Sequence, residues 1–228
     1  MNIIRFDVDL RLTSAGFDTS CIMSFKDKIF AIERLKHRKE DVGRRLTLDH
    51  IKCNIPDISG HISMLFACAL IHGTVPYDFF ISTVILVLKG KVGNLMDFTN
   101  YHGIALSSVI VKILDLIVLT RYSGMLSTSD MQFGFKRKRF TNMCSMILKE
   151  TIEYYVNNGI TVYCTLLDAT KVFDQVEYYK LFRLLMATDV PLVITRVLMN
   201  MYTYHVTTIA WNGVFSDLFF VVINNVKQ

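Results

Sequence analysis

Residues 161–174 have the sequence TVYCTLLDATKVFD, in which an apolar, β-branched run ends at Asp168. This composition predicts a strand over 161–167. Two helical patterns follow, and Asn212-Gly213 then separates two strand-like runs, which is the strongest short signal for a β-hairpin. The order strand, helix, helix, hairpin is typical of an α+β layer with helices packed on one face of an antiparallel sheet. We therefore predict an α+β fold with an antiparallel sheet.

Hydrophobic periodicity predicts further elements on either side of this stretch. Several of them are bounded by residues that commonly begin or end helices, such as Gly73, Ser108 and Pro191. The predicted elements are a helix over 58–71, a strand over 80–89, a turn over 90–94, a helix after Ser108, a polar loop over 123–141, a helix containing Cys144 and Tyr155, a helix containing Tyr178 and Leu185, a helix from Pro191, and strands over 205–211 and 214–222.

The composition excludes a disordered chain, because 52% of the 228 residues are hydrophobic and the net charge is only +5. Mean hydropathy is +0.36. The apolar run 79–88 is nevertheless shorter than the roughly 20 residues of a membrane span, and the run 104–119 is interrupted by Lys112 and Asp115. Residues 1–12 contain charges in place of the apolar core of a signal peptide. We expect no membrane association.

The five cysteines are scattered along the chain and form no Cys-x-x-Cys pair. Their spacing to histidines does not match a zinc site. An odd, scattered set of this kind is typical of reduced thiols. We therefore expect an intracellular protein, cytoplasmic or nuclear.

Asp168 is the candidate metal ligand. A carboxylate at the end of a strand lies at the rim of a sheet, where rigid backbone can hold it against an ion. Mg²⁺ takes oxygen ligands from one or two carboxylates together with substrate phosphates. Asp168 fits equally well as the N-cap of a following helix, because an aspartate side chain accepts hydrogen bonds from the first helical turn. The residue alone leaves both interpretations open.

Six short segments follow one another between residues 46 and 228. They are IHGTVP (71–76), VILVLK (84–89), NYHGIAL (100–106), QFGFK (132–136), LDATKVFD (167–174), and Asn212-Gly213 with Ser216 and VKQ (226–228). In this order they resemble motifs of the reverse transcriptase of non-LTR, LINE-type retrotransposons. The resemblance implies a fingers-like region over 46–150 and an incomplete palm over 151–228. It leaves a basic N-terminal segment, residues 1–45, unmatched.

The resemblance also implies roles in RNA-directed DNA synthesis. Asp168 and the backbone carbonyl of Ala169 would bind catalytic Mg²⁺, and the ring of Phe173 would exclude the 2′-hydroxyl of the incoming sugar. Lys89 and Gln228 would contact the incoming nucleotide. The implied partners are an RNA template, a DNA primer and a dNTP, and the implied chemistry is two-metal nucleotidyl transfer. The nucleic-acid backbone would be contacted by a basic run, Lys136, Arg137, Lys138 and Arg139.

Two departures from the family pattern predict a loss of activity. His102 stands where the family has an arginine that contacts the triphosphate, and no Asp-Asp pair occurs in the sequence. A mostly neutral histidine does not replace a guanidinium, and a lone aspartate does not hold two divalent ions. We expect an inactive reverse transcriptase fragment, truncated before the second carboxylate box. A non-catalytic nucleic-acid-binding module is the alternative, and a small membrane-associated helical protein is a third hypothesis that rests on hydropathy alone.

Overall fold

The computed structural model describes residues 2–15, 24–35, 46–89, 96–97, 100–126, 128–136, 139–168 and 175–220. A larger unit contains the described residues up to Met125 and from Val176 onward, and a smaller unit lies between them in the chain. The helices are α1 (Asn2–Ala15), α2 (Phe25–Arg34), α3 (Leu48–Lys52), α4 (Ile55–His72), α5 (Val109–Arg121), α6 (Thr141–Asn157), α7 (Tyr178–Met186) and α8 (Leu192–Thr203). The strands are β1 (Ile81–Leu88), β2 (Tyr101–Ser107), β3 (Val206–Trp211), β4 (Val214–Phe215) and β5 (Phe219–Phe220).

The helices predicted before and after β1 are confirmed. Helix α4 ends at Gly73, which has a left-handed φ of 68° and donates its N–H to the Ala69 carbonyl at 2.8 Å. Helix α5 begins after Ser108, whose hydroxyl accepts the Val111 N–H at 3.2 Å. The predicted turn over 90–94 lies outside the described residues.

Helix α4 has the length and apolar composition of a membrane-spanning helix, and it is the one described helix that does. Core helices of soluble proteins share these properties. In this structure α4 packs against α2 and α8, and five of its residues, including Phe66 and Leu70, are buried.

The sheet is mixed, so the predicted antiparallel sheet is wrong in one respect. Its strand order is β2-β1-β3-β4, with β5 also paired to β3. The pairs β1–β2, β3–β4 and β3–β5 are antiparallel, but β1 and β3 run parallel, with Ile81 opposite Val206 and Ile85 opposite Ala210. Each parallel strand follows one of two helices, α4 and α8, that pack against each other. The α+β class is confirmed.

The predicted hairpin at Asn212-Gly213 is confirmed. Both residues have positive φ, 48° and 79°, as a two-residue type I′ turn requires. The second strand is interrupted after β4, because the Ser216 hydroxyl accepts the Ile209 N–H at 2.9 Å. Residues 221 and 222 of the predicted strand lie outside the described residues.

The smaller unit confirms the predicted helix α6 but not the predicted strand over 161–167. Residues 160–168 have no regular secondary structure. Leu166 and Leu167 are 86% and 95% exposed, so this apolar run is covered on neither face. A strand forms only when a partner completes its backbone hydrogen bonds. No described strand pairs with this segment, and its β-branched composition is not enough to make one.

A buried polar contact joins α4 to α8. The Arg196 guanidinium donates to the carbonyl oxygens of Leu70 and Ile71 at 3.0 and 3.1 Å, and the Asn200 amide donates to the Gly73 carbonyl at 2.9 Å. The last carbonyls of a helix have no partner within the helix, so these side chains satisfy groups that would otherwise be left unpaired. A Cβ added at Gly73 would overlap the guanidinium. We call Gly73, Arg196 and Asn200 the helix clamp.

Gly73→Ala is expected to lower the free energy of unfolding by about 2–4 kcal/mol. The positive φ costs an L-residue roughly 1–2 kcal/mol, and displacing Arg196 from its carbonyls costs about 1–2 kcal/mol more. Urea unfolding measures the decrease. Gly213→Ala is the control, because Gly213 has a φ of 79° with open space around its Cβ position. An equal decrease in the two variants would contradict the helix clamp.

Candidate functional site

Two residues to which the resemblance assigns positions near the incoming nucleotide, Lys89 and His102, lie at the same end of the β1–β2 pair. Val87 lies opposite His102, and the Lys89 N–H donates to the Asn100 carbonyl oxygen at 2.8 Å. Side chains alternate between the two faces along a strand, so Lys89 and His102 occupy one face as diagonal neighbours. Both residues are exposed. This pairing brings together the segments 84–89 and 100–106.

An aromatic pair lies at the same end of the sheet. Tyr101 at the start of β2 contacts Trp211 at the end of β3, edge to face, with ring centroids 5.1 Å apart. Trp211 is 44% exposed. Tyr101 precedes His102 in β2 and lies opposite Leu88, so the aromatic pair occupies the face of the sheet opposite to Lys89 and His102. We call Lys89 and His102 the sheet-end patch.

The basic run in the smaller unit is partly occupied by contacts inside its own loop. The Lys136 ammonium donates to the carbonyl oxygens of Thr128 and Ser129 at 2.9 and 2.7 Å, and it lies 3.5 Å from the Asp130 carboxylate. The Arg139 guanidinium also pairs with Asp130, at 3.2 Å. These two cations therefore stabilise the loop conformation. Arg137 and Lys138 lie outside the described residues.

Asp168 is exposed at the end of the irregular segment 160–168. Ala169, Phe173 and Gln228, which the resemblance places around the metal and the nucleotide, lie outside the described residues. Within the described ranges, no group of three His, Cys, Asp or Glu side chains is arranged to hold a metal ion. The Mg²⁺ site stays a prediction based on the resemblance.

Comparison with known proteins leaves the family of the chain open. No model of a known protein family matches it, and no curated protein matches its sequence. The relationship to reverse transcriptases therefore rests on the six motif-like segments.

The larger unit also contains a cavity that the sequence analysis missed. Its volume is about 250 Å³, and its lining comes from the sheet, from α5, α7 and α8, and from the residues that precede β1 and β3. Asp115 of α5 is its one acidic lining residue. In the sequence Asp115 was only a charge that interrupts an apolar run. The sequence pattern that could have identified this residue is the position of Asp115 one helical turn from two buried valines, Val111 and Val118.

Burial changes the acidity of the groups in this cavity. Asp115 is exposed to solvent, but the surrounding protein partly desolvates its carboxylate and raises the pKa from 3.8 to about 6. Burial, together with the charge of Asp115, raises the pKa of Tyr202. Burial lowers the pKa of His205. The cavity therefore disfavours charge on these three side chains.

Asp115→Asn is expected to stabilise the protein at neutral pH but not at pH 4. Because folding raises the Asp115 pKa from 3.8 to about 6, its stabilising contribution is complete below pH 3.8 and disappears as the pH rises through about 6. An amide carries no charge to desolvate, so the variant gains about 1 kcal/mol above pH 6, allowing for solvent screening.

Thermal unfolding at pH 4 and pH 7.5 measures this difference. Asp217→Asn is the matched control, because Asp217 is exposed and does not line the cavity. A gain of the same size at both pH values would show that burial of the carboxylate is not its cause.

Proposed function

We propose that this chain is the fingers and part of the palm of a non-LTR reverse transcriptase, and that it binds nucleic acid through the sheet-end patch. The observation that carries the proposal is the position of Lys89 beside His102, since the two residues belong to separate motif-like segments. Two family positions for nucleotide contact thus lie on one face of a single β-hairpin.

The chemistry of the sheet-end patch suits a primed template. The Lys89 ammonium is a point charge that attracts phosphate, and the chain as a whole carries a net charge of +5. Lys136 and Arg139 are largely engaged by Asp130, so the patch is the better candidate for the first contact.

We propose further that residues 1–228 bind nucleic acid without extending a primer. Two-metal transfer needs more than one carboxylate to hold both ions, and the sequence offers Asp168 without an Asp-Asp pair. His102 also lacks the permanent charge and paired donors of an arginine. These features favour a non-catalytic nucleic-acid-binding module derived from the polymerase.

Lys89→Ala is expected to weaken binding to a primed RNA template and to reduce its salt dependence. Each phosphate that a cation neutralises adds about 0.7–0.9 to the slope of log affinity against log salt. The variant should therefore have a slope that is shallower by this amount. Fluorescence anisotropy over a salt series measures both quantities. His102→Arg should have the opposite effect on affinity, because it adds a guanidinium on the same face.

Lys180→Ala is the matched control for this charge change. Lys180 lies on α7, its side chain is 70% exposed, and among the described residues it pairs with Glu177 alone, at 2.9 Å, a contact that contributes little. If Lys180→Ala and Lys89→Ala had the same affinity and the same salt slope, the sheet-end patch would not be the binding site.

The purified chain, with a primed RNA template, dNTPs and Mg²⁺, is expected to show no primer extension above background. Gel analysis of a labelled primer measures the product, with a complete reverse transcriptase as the positive control. Extension that Asp168→Ala abolishes would overturn the non-catalytic proposal and establish the polymerase. Extension that survives Asp168→Ala would identify a contaminating enzyme and leave the expectation standing.

A further inference from the structure

The cavity around Asp115 differs from the sheet-end patch in both shape and chemistry. Its volume of about 250 Å³ lies below the range of 300–1,000 Å³ that is typical of sites for drug-sized ligands. Phe79, Ile81, Leu198 and Met201 contribute apolar surface to its wall. A ligand that fills it must therefore be small and must present apolar groups to most of the lining.

Two tyrosines give part of the wall a defined geometry. The rings of Tyr178 and Tyr202 meet edge to face, with centroids 5.0 Å apart and an interplanar angle of 89°. Both rings also contact Phe182, at 5.9 Å from Tyr202 and 6.4 Å from Tyr178, and Phe182 is fully buried. Phe182 thus packs against both tyrosines, and these two rings line the cavity at right angles to each other.

A single carboxylate completes the lining. Asp115 has no hydrogen bond or ion pair with any residue that the structure describes. One sheet hydroxyl in the lining, that of Ser82, is already bonded to the Thr207 hydroxyl at 2.7 Å. The negative charge of Asp115 in the lining attracts a cation and repels an anion, so this site favours a cation.

We propose that this cavity binds a small organic ammonium ion, of the size of tetramethylammonium or choline. Aromatic faces attract quaternary ammonium groups through their ring quadrupoles. The Tyr178–Tyr202 pair supplies the faces, Asp115 supplies the balancing charge, and the apolar wall accommodates the methyl groups.

Other ligand classes fit this lining less well. A hard metal ion needs about six oxygen ligands, whereas the cavity offers one carboxylate among largely apolar groups. An anion would meet the Asp115 carboxylate. A neutral apolar molecule would gain no attraction from the Asp115 charge. The alkylammonium ion is the class that satisfies the charge, the aromatic pair and the volume together.

Isothermal titration of the full chain at pH 7.5 with choline tests the proposal. We expect saturable binding at one site per chain. The neutral isostere 3,3-dimethyl-1-butanol, which has the same shape without the charge, should bind at least tenfold more weakly. Absence of saturable binding for choline and tetramethylammonium, or equal affinity for the neutral isostere, would overturn the proposal.

Variants assign the binding to this cavity. Asp115→Asn and Tyr202→Leu are expected to weaken choline binding at least tenfold, whereas Tyr202→Phe keeps the ring and should retain it. Asp217→Asn is the matched control for the carboxylate and should bind choline like the unmodified chain. Unchanged binding in Asp115→Asn, or an equal weakening in Asp217→Asn, would contradict the assignment.

Two further measurements identify the source of the ammonium group and test whether the cavity binds it independently of the sheet-end patch. Free trimethyllysine and a peptide carrying trimethyllysine should bind equally, because a volume of about 250 Å³ holds little more than the ammonium headgroup. A peptide that binds tenfold more tightly would overturn the assignment to a free small molecule. Lys89→Ala should leave choline binding unchanged, so a failure of the nucleic-acid proposal and a failure of this one are distinguishable.

Discussion

The hydrogen bonds from Arg196 to the carbonyl oxygens of Leu70 and Ile71, at 3.0 and 3.1 Å, are the contact on which the rest of the larger unit depends. They fix the end of α4 against α8, the helix with the largest number of buried residues among those described. Gly73 makes the contact possible, because it tolerates a positive φ and has no Cβ, which would overlap the Arg196 guanidinium. The chain can then leave α4 directly beside the end of α8.

Strand direction follows from this contact. Because α4 and α8 end close together, the chains that leave them enter the sheet side by side, and the Val206 N–H donates to the Phe80 carbonyl at 2.8 Å. Phe80 and Tyr204 also meet edge to face, with ring centroids 5.9 Å apart. β1 and β3 consequently run parallel, and β2 adds to the outer side of β1 by antiparallel pairing. The ends of β1 and β3 and the start of β2 thus lie at the same end of the sheet.

The sequence predicted correctly those features of the fold that depend on a single short segment. Gly73 at the end of α4, Ser108 at the start of α5 and the Asn212-Gly213 turn each act through their own backbone, and each was predicted correctly. The direction of β3 relative to β1 depends on Arg196, which is separated by 126 positions from Leu70. No local sequence pattern indicates such a contact.

The same distinction explains the errors at the candidate sites. The strand over 161–167 was predicted from composition, but a strand also needs a partner, and the structure gives this segment none among its described strands. At Asp115 the helix was predicted, whereas the cavity is built by residues from β1, α7 and α8 that come together only in the folded unit.

The two sites lie at opposite ends of the same strands, which limits how they can influence each other. Ile81 and Ser82 at the start of β1 line the cavity, whereas Lys89 follows the end of this strand in the sheet-end patch. Eight residues of extended chain separate the ends by about 25 Å. An ammonium ion in the cavity therefore cannot touch a nucleic acid at the patch. Coupling between the two ligands would therefore have to pass along β1, which contributes Ile81 and Ser82 to the cavity and leads directly into Lys89 at the sheet-end patch.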